Sequence, residues 1–189
     1  MTTDGNNGDR GGKPVSESQI VMAQQMMPAD TNPWGFVHGG VIMKMVDEAA
    51  GSAAIRHSQC RVATAAIDYM SFLHPVQVGD LVTVRASVNH VGRTSLEVGV
   101  RVESENMMTG EHVHTSSAYL VMVALDEDGS PRSVQPVLAE TPDEKRRMAA
   151  ARVRRAQRKV LQAAIKQSEK DIGSAPVAVA SEMVHTGQE

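Results

Sequence analysis

One stretch constrains this chain more than any other. From Val41 to Ala54, apolar residues return in pairs every four positions: Val41 and Ile42, Met45 and Val46, Ala49 and Ala50, Ala53 and Ala54. That spacing lays one broad stripe along an α-helix. Lys44, Glu48, Ser52 and Arg56 form a separate polar row, and the pattern predicts a helix to about His57. Its later half is built of Ala, Gly and Ser, short side chains that let other backbones come close. A helix of this kind suits the inside of a wrapped sheet.

The rest of the core reads as strands. Ser18 to Met27 carries Ile20, Val21, Met22, Met26 and Met27 and predicts a first strand. Arg61 to Leu73 alternates weakly, Leu81 to Val88 and Leu96 to Glu103 alternate strictly, and Ser117 to Leu125 is an apolar run fit for a central strand. Gly79-Asp80, Gly92-Arg93, the segment from Asn106 to Gly110 and Asp128-Gly129 break the pattern sharply. One strand, one helix and four further strands make an α+β layout, an antiparallel sheet with a helix against it. Thr141-Pro-Asp-Glu144 opens a second helix, with Thr141 as cap, Pro142 in the first turn and Glu144 completing a capping box. It is expected to run to about Gln167. No internal repeat is present, so a single unit is expected. The predicted organisation is a disordered tail over 1–16, a folded domain over 17–138, a basic helix over 139–170 and a mobile tail over 171–189.

Charge and composition exclude several function classes. The formal charge of −3 gives no global attraction for nucleic acid or acidic lipid, and 3% aromatic content disfavours base-stacking platforms. Basic charge is local instead: Thr141 to Lys170 holds ten Lys or Arg against three acids. Cys60, the single cysteine, can form neither an internal disulfide nor a cysteine-rich metal site. No stretch approaches the ~20 apolar residues of a membrane helix, and the first fifteen residues hold no apolar run of a secretory signal. A cytoplasmic protein without nucleic-acid or membrane partners is expected. His112 and His114 alternate on a strand, but two such residues without a third ligand make a weak site, and no metal is expected.

The chemistry concentrates at the start of the first helix. His38-Gly39-Gly40 stands there; glycines allow tight approach, and the first-turn amides can receive an anionic oxygen. Asp47 follows two turns on, at the edge of the small apolar face, where a carboxylate would be poorly solvated. Glu48 faces Lys44 and reads as half of a surface pair. Asn32 before Pro33 reads as turn chemistry, and His38 is expected to pack or hydrogen-bond within its loop.

Taken together, Pro28-Ala-Asp-Thr-Asn-x-x-Gly35, His38-Gly-Gly40 and Asp47 resemble the motif of YciA-type and brain acyl-CoA hydrolase-type thioesterases. The resemblance continues through Met70-Ser-Phe-Leu-His-Pro-Val-x-Val-Gly-Asp80, Gly92-Arg-Thr-Ser95 and Asp126-x-x-Gly129, and covers roughly residues 18–138. It implies a hotdog fold, a five-stranded antiparallel sheet wrapped around one central helix, paired into homodimers and often into hexamers as trimers of dimers. It also implies hydrolysis of acyl-CoA, here medium- to long-chain fatty acyl-CoA, with coenzyme A as part of the substrate and no cofactor. By resemblance Asp47 is the general base or nucleophile and Asn32 orients water or the thioester. Gly39 and Gly40 are the glycines whose amides polarise the carbonyl, with Asn32 and Asp47 of one site supplied by different subunits. Arg93, Thr94 and Ser95 match a segment beside the CoA pantetheine and phosphates. Lys145, Arg146 or Arg147 could meet the CoA phosphates, though the basic helix has no motif behind it. Met43, Met45 and Met70 are candidates for adaptable walls of an acyl groove. Two rival functions fit the same layout: a PaaI-type aryl-acetyl-CoA thioesterase, and a non-catalytic hotdog module that binds acyl-CoA to regulate a partner.

Overall fold

The structure, a computed structural model, describes residues 11–174, with side chains described to residue 170. The chain divides into two units, residues 1–154 and 155–189. All strands belong to the first unit. In chain order these are β1 (Lys13–Pro14), β2 (Ile20–Gln25), β3 (Arg61–Phe72), β4 (Leu81–Val91), β5 (Ser95–Asn106), β6 (Glu111–Leu125) and β7 (Val137–Leu138). Helix α1 spans Gly39–Ser58 and α2 spans Pro142–Ser174. Five strands form one antiparallel sheet in the order β2-β4-β5-β6-β3, which leaves β2 and β3 at its edges.

The period-two pattern sorts the two faces of this sheet. Val82, Val84, Ala86 and Val88 of β4 are buried, as are Leu96, Val98, Val100 and Val102 of β5, and they share one core with α1. On the helix, Val46, Ala49, Ala50, Ala53 and Ala54 have no exposed surface at all. A side-chain carbon added at Gly51 would stand 3.8 Å from Met122 of β6. The small second half therefore lies against the sheet, as its composition predicts, and the fold is the wrapped helix of a hotdog.

Several boundaries move, each for a local reason. Helix α1 begins at Gly39 because His38 caps it, its Nδ1 accepting from the Gly40 amide at 2.8 Å. Strand β6 begins at Glu111 rather than Ser117. Its first residues, from Glu111, pair with the far end of β5, closed by a turn in which Asn106 Oδ1 accepts from Met108 N at 3.0 Å. The expectation of a disordered tail to residue 16 is corrected at its end. Lys13–Pro14 pairs in parallel with Val137–Leu138, and Val15 is buried; residues 1–10 lie outside the described residues. Helix α2 runs on to Ser174, through the first residues of the tail expected from 171; residues 175–189 lie outside the described residues. No helix among the described residues is long and apolar enough to cross a membrane.

The first turns of α2 follow the sequence closely. Glu144 Oε2 accepts from Thr141 N at 2.9 Å while Thr141 Oγ1 accepts from Glu144 N at 3.2 Å, a reciprocal capping box. The next two turns of α2 are packed rather than freely solvated. Ala151 is fully buried, and Arg154 reaches Glu97 of β5 with Nη2 donating to Oε1 at 2.5 Å. The same guanidinium lies 3.6 Å from the Tyr119 ring centroid, and Glu97 is only 4% exposed.

Candidate active site

The loop before α1 is held by its own backbone. Val37 N donates to Val76 O at 2.9 Å and His38 N to Asp30 O at 2.8 Å. Within it, Asn32 Oδ1 accepts from Trp34 N at 3.0 Å and Phe36 N at 3.3 Å, and Gly35 takes the left-handed φ of +84° that closes the turn. The oxygen of Asn32 is thus consumed by the turn, and only its amide NH₂ can serve a ligand. A cleft of about 320 Å³ opens beside it, lined among others by Asn32, Phe36, Gly39, Phe72, Leu73 and His74. Asn32 and Gly39 are brought together there.

Gly40 is not a spare donor. Its amide is taken by His38 Nδ1, so of the two glycine amides expected to cradle an oxygen, Gly40's is engaged while His38 stays in place. His38 does hydrogen-bond within its loop, as the sequence predicts.

Asp47 lies elsewhere. Eight residues separate it from Gly39, a rise of about 12 Å along the helix, and it does not line the cleft. Helix α1 runs antiparallel to β3: Gly39 faces Phe72, where an added side-chain carbon would stand 3.6 Å from the ring, and Asp47 meets Thr64. Thr64 Oγ1 donates to Asp47 Oδ1 at 2.7 Å. The expectation of a poorly solvated carboxylate is corrected for the single chain, because Asp47 is exposed. The reason is topological. Asp47 looks out over β3, an edge strand whose Ile67, Tyr69 and Phe72 are also open, at 40–56% exposure.

Thr64 is the residue sequence reasoning missed, since a threonine in a strand is ordinary; only its contact with Asp47 singles it out. Arg93, Thr94 and Ser95 form the β4–β5 turn, held by its backbone through Gly92 N to Ser95 O at 2.7 Å and Ala124 N to Thr94 O at 2.9 Å. Register sets Ser95 and Leu96 level with Val123 and Met122 of β6, and those level with Ala63 and Thr64 of β3. The turn therefore sits at the same end of the sheet as Asp47's partner, two strands away. Met43 is exposed and could form an acyl wall; Met45 is 4% exposed and buried in the core, so it cannot. Glu48 pairs with Lys44 at 3.7 Å on the surface, as expected. His114 Nε2 is engaged by Ser116 O and Ser117 Oγ. Among the described residues no group of three or more His, Cys, Asp or Glu could hold a metal.

With this geometry in hand, the relatives can be set beside it. Residues 35–111 match the model of the thioesterase superfamily. YkhA, an uncharacterised acyl-CoA thioester hydrolase of Bacillus subtilis, is 38% identical over 68% of this chain and 74% of its own length. The mouse cytosolic acyl coenzyme A thioester hydrolase is 33% identical over 70% of this chain, which spans 35% of that longer protein. A solved apo-hexameric acyl-CoA thioesterase superposes with a TM-score of 0.77 at 40% identity, covering 79% of this chain and 96% of that one. The acyl-CoA hydrolase of Staphylococcus aureus, solved with butyryl coenzyme A, coenzyme A and coenzyme A disulfide, gives 0.78 at 33% identity over 85% and 98%. That enzyme has also been solved as alanine variants of an aspartate, an asparagine and a threonine. The chain belongs to the hotdog acyl-CoA thioesterase family.

Proposed function

We propose that this chain hydrolyses medium- to long-chain fatty acyl-CoA to the free acid and coenzyme A, with Asp47 supplying the attacking oxygen. An acyl thioester needs an oxygen nucleophile and a donor where negative charge develops. Asp47 deprotonates water, or attacks directly, while Thr64 fixes one of its oxygens. The Gly39 amide, at the positive end of α1, meets the carbonyl, and the Asn32 NH₂ orients water or thioester.

The observation that carries this reading is the Thr64–Asp47 hydrogen bond within a matching constellation. In the Staphylococcus aureus hydrolase the three residues replaced by alanine stand in the spacing of Asn32, Asp47 and Thr64: fifteen residues from asparagine to aspartate, seventeen on to threonine. Because Asp47 stands about two turns of helix from Gly39, which shares its cleft with Asn32, the complete site in this reading joins Asn32 of one copy to Asp47 of another. The open apolar surface of β3 supports a homodimer, and the hexameric neighbour supports a trimer of such dimers. The second copy then supplies the desolvation that Asp47 lacks alone. The Arg93–Ser95 turn is assigned to coenzyme A, and the cytosolic setting of the mouse relative supports a cytoplasmic enzyme.

The test is turnover of acetyl- to palmitoyl-CoA, followed by thiol release, for wild type and Asp47→Asn. The expected result is a kcat lowered by about a hundredfold or more, with substrate binding retained. Undiminished turnover in the variant would move the chemistry off Asp47. Preference for aryl-acetyl-CoA in the same panel would replace the fatty substrate.

A further inference from the structure

The face of the sheet away from α1 carries a second cleft, of about 430 Å³, between β4, β5 and the first turns of α2. Its walls hold four arginines, Arg85 and Arg101 from the strands and Arg146 and Arg147 from the helix. Such a volume is typical of small-molecule sites.

The charges there are out of balance in a patterned way. Arg85 and Arg101 are directly opposite each other in the β4–β5 ladder, where like charges destabilise. Glu103 sits between them, 3.6 Å from Arg85 and 2.8 Å from Arg101. Arg146 and Arg147 both close on Asp143, the first at 2.5 Å. Each carboxylate is shared by two guanidiniums, which hold it below its usual protonation range. Four positive charges over two negative ones leave a surplus of two facing the cleft.

The floor is low and polar. Ser87 and Asn89 are buried at 6% and 3% exposure, and Gly99 lies between Ser87 and Tyr119 in the ladder. Any side chain at Gly99 would collide with the Asn89 amide. Inward residues of β4 pack on α1, so by alternation Arg85, Ser87 and Asn89 point to the side of the sheet opposite Asp47.

We propose that this cleft is a binding site for a small molecule bearing a diphosphate. Guanidinium forks match phosphate oxygens bidentately, and two arginine pairs suit two linked phosphates better than one. The chemistry has two sources: the diphosphate of coenzyme A itself, or a free phosphorylated effector. The site does not rest on the role given to Asp47, and its test uses protein in which that role is removed.

Pyrophosphate and inorganic phosphate are titrated calorimetrically into the full-length, assembled Asp47→Asn protein, and then into Asp47→Asn combined with Arg101→Gln or with Arg146→Gln. Arg146 is 73% exposed, so its replacement leaves the fold intact. Saturable pyrophosphate binding, tighter than phosphate and weakened tenfold or more by each arginine change, is expected. Competition by coenzyme A assigns the diphosphate to the substrate; binding undisturbed by coenzyme A assigns it to an effector. A flat titration, or affinity unchanged in both arginine variants, overturns the proposal.

Discussion

At the residue scale, the carboxylate proposed to supply the attacking oxygen is held by a single hydroxyl. Thr64 donates to one oxygen of Asp47 and leaves the other for water. A hydrogen bond to a charged group is worth about 1.5–3 kcal/mol, so Thr64→Val, which keeps the β-branched shape, should lower kcat about tenfold or more with little change in KM. Thr64→Ser should recover most of it; equal activity in all three would leave Thr64 a strand residue only. A different titration governs stability. His57 is 2% exposed, Nε2 contacts Gln135 O at 2.9 Å, and Nδ1 has no hydrogen-bond partner among the described residues. Burial pushes its pKa below the ordinary 6.5, with nearby Lys13 adding to the effect, against the Gln135 carbonyl and Glu17. The folded state therefore resists a proton that the unfolded chain accepts, so stability falls as pH drops below about 6.5 and is unaffected above it. Urea melts between pH 8 and 5 should show that slope, and His57→Gln should flatten it. Asp47, Asn32 and Gly39 were legible as a motif. Thr64 was not, because β3 alternates weakly and nothing in its own neighbourhood marks it. That His38 occupies the Gly40 amide depends on a side-chain rotamer, which spacing does not encode.

At the element scale, strict periodicity was the legible part. Leu81–Val88 and Leu96–Glu103 lie inside β4 and β5, and the α1 stripe became the core. The capping box of Thr141 and Glu144 was readable because it is local chemistry. What the sequence hid was packing between distant elements. Glu97 reads as the solvent-facing step of an alternating strand, and Arg154 as one charge among ten. Together they form a pair in which Glu97 is 4% and Arg154 21% exposed, pinning α2 to the outer face. Arg154→Ala strands a buried carboxylate, a loss expected to be about 3–5 kcal/mol, whereas replacing both residues with Leu should return most of that stability. Urea unfolding of the two variants decides it. Equal destabilisation by the single and double changes would mean that packing of α2, not charge, is what Arg154 provides.

At the scale of the whole molecule, the site is divided along α1. Asn32 and the Gly39 amide sit at the helix start; Asp47 sits two turns on, over an edge strand on which Ile67 and Tyr69 are open. Were both functional groups to act within one chain, the thioester would have to bridge about 12 Å. The proposed twofold pair would resolve this by setting the helix start of one copy against Asp47 of its partner. Complementation tests the point directly. Asn32→Ala and Asp47→Asn proteins are each expected to be nearly inactive. Unfolded together and refolded as a mixture, half of the pairs contain one chain of each kind. Such a pair has one site with both defects and one with none, because symmetry gives each site one residue from each copy. About a quarter of wild-type turnover should therefore return. If one chain supplied both residues, every site in the mixture would keep a defect and no turnover would return. Tyr69→Lys, placed on the open strand, should leave the fold intact by circular dichroism, yield single chains by light scattering, and abolish the recovery in the same mixture.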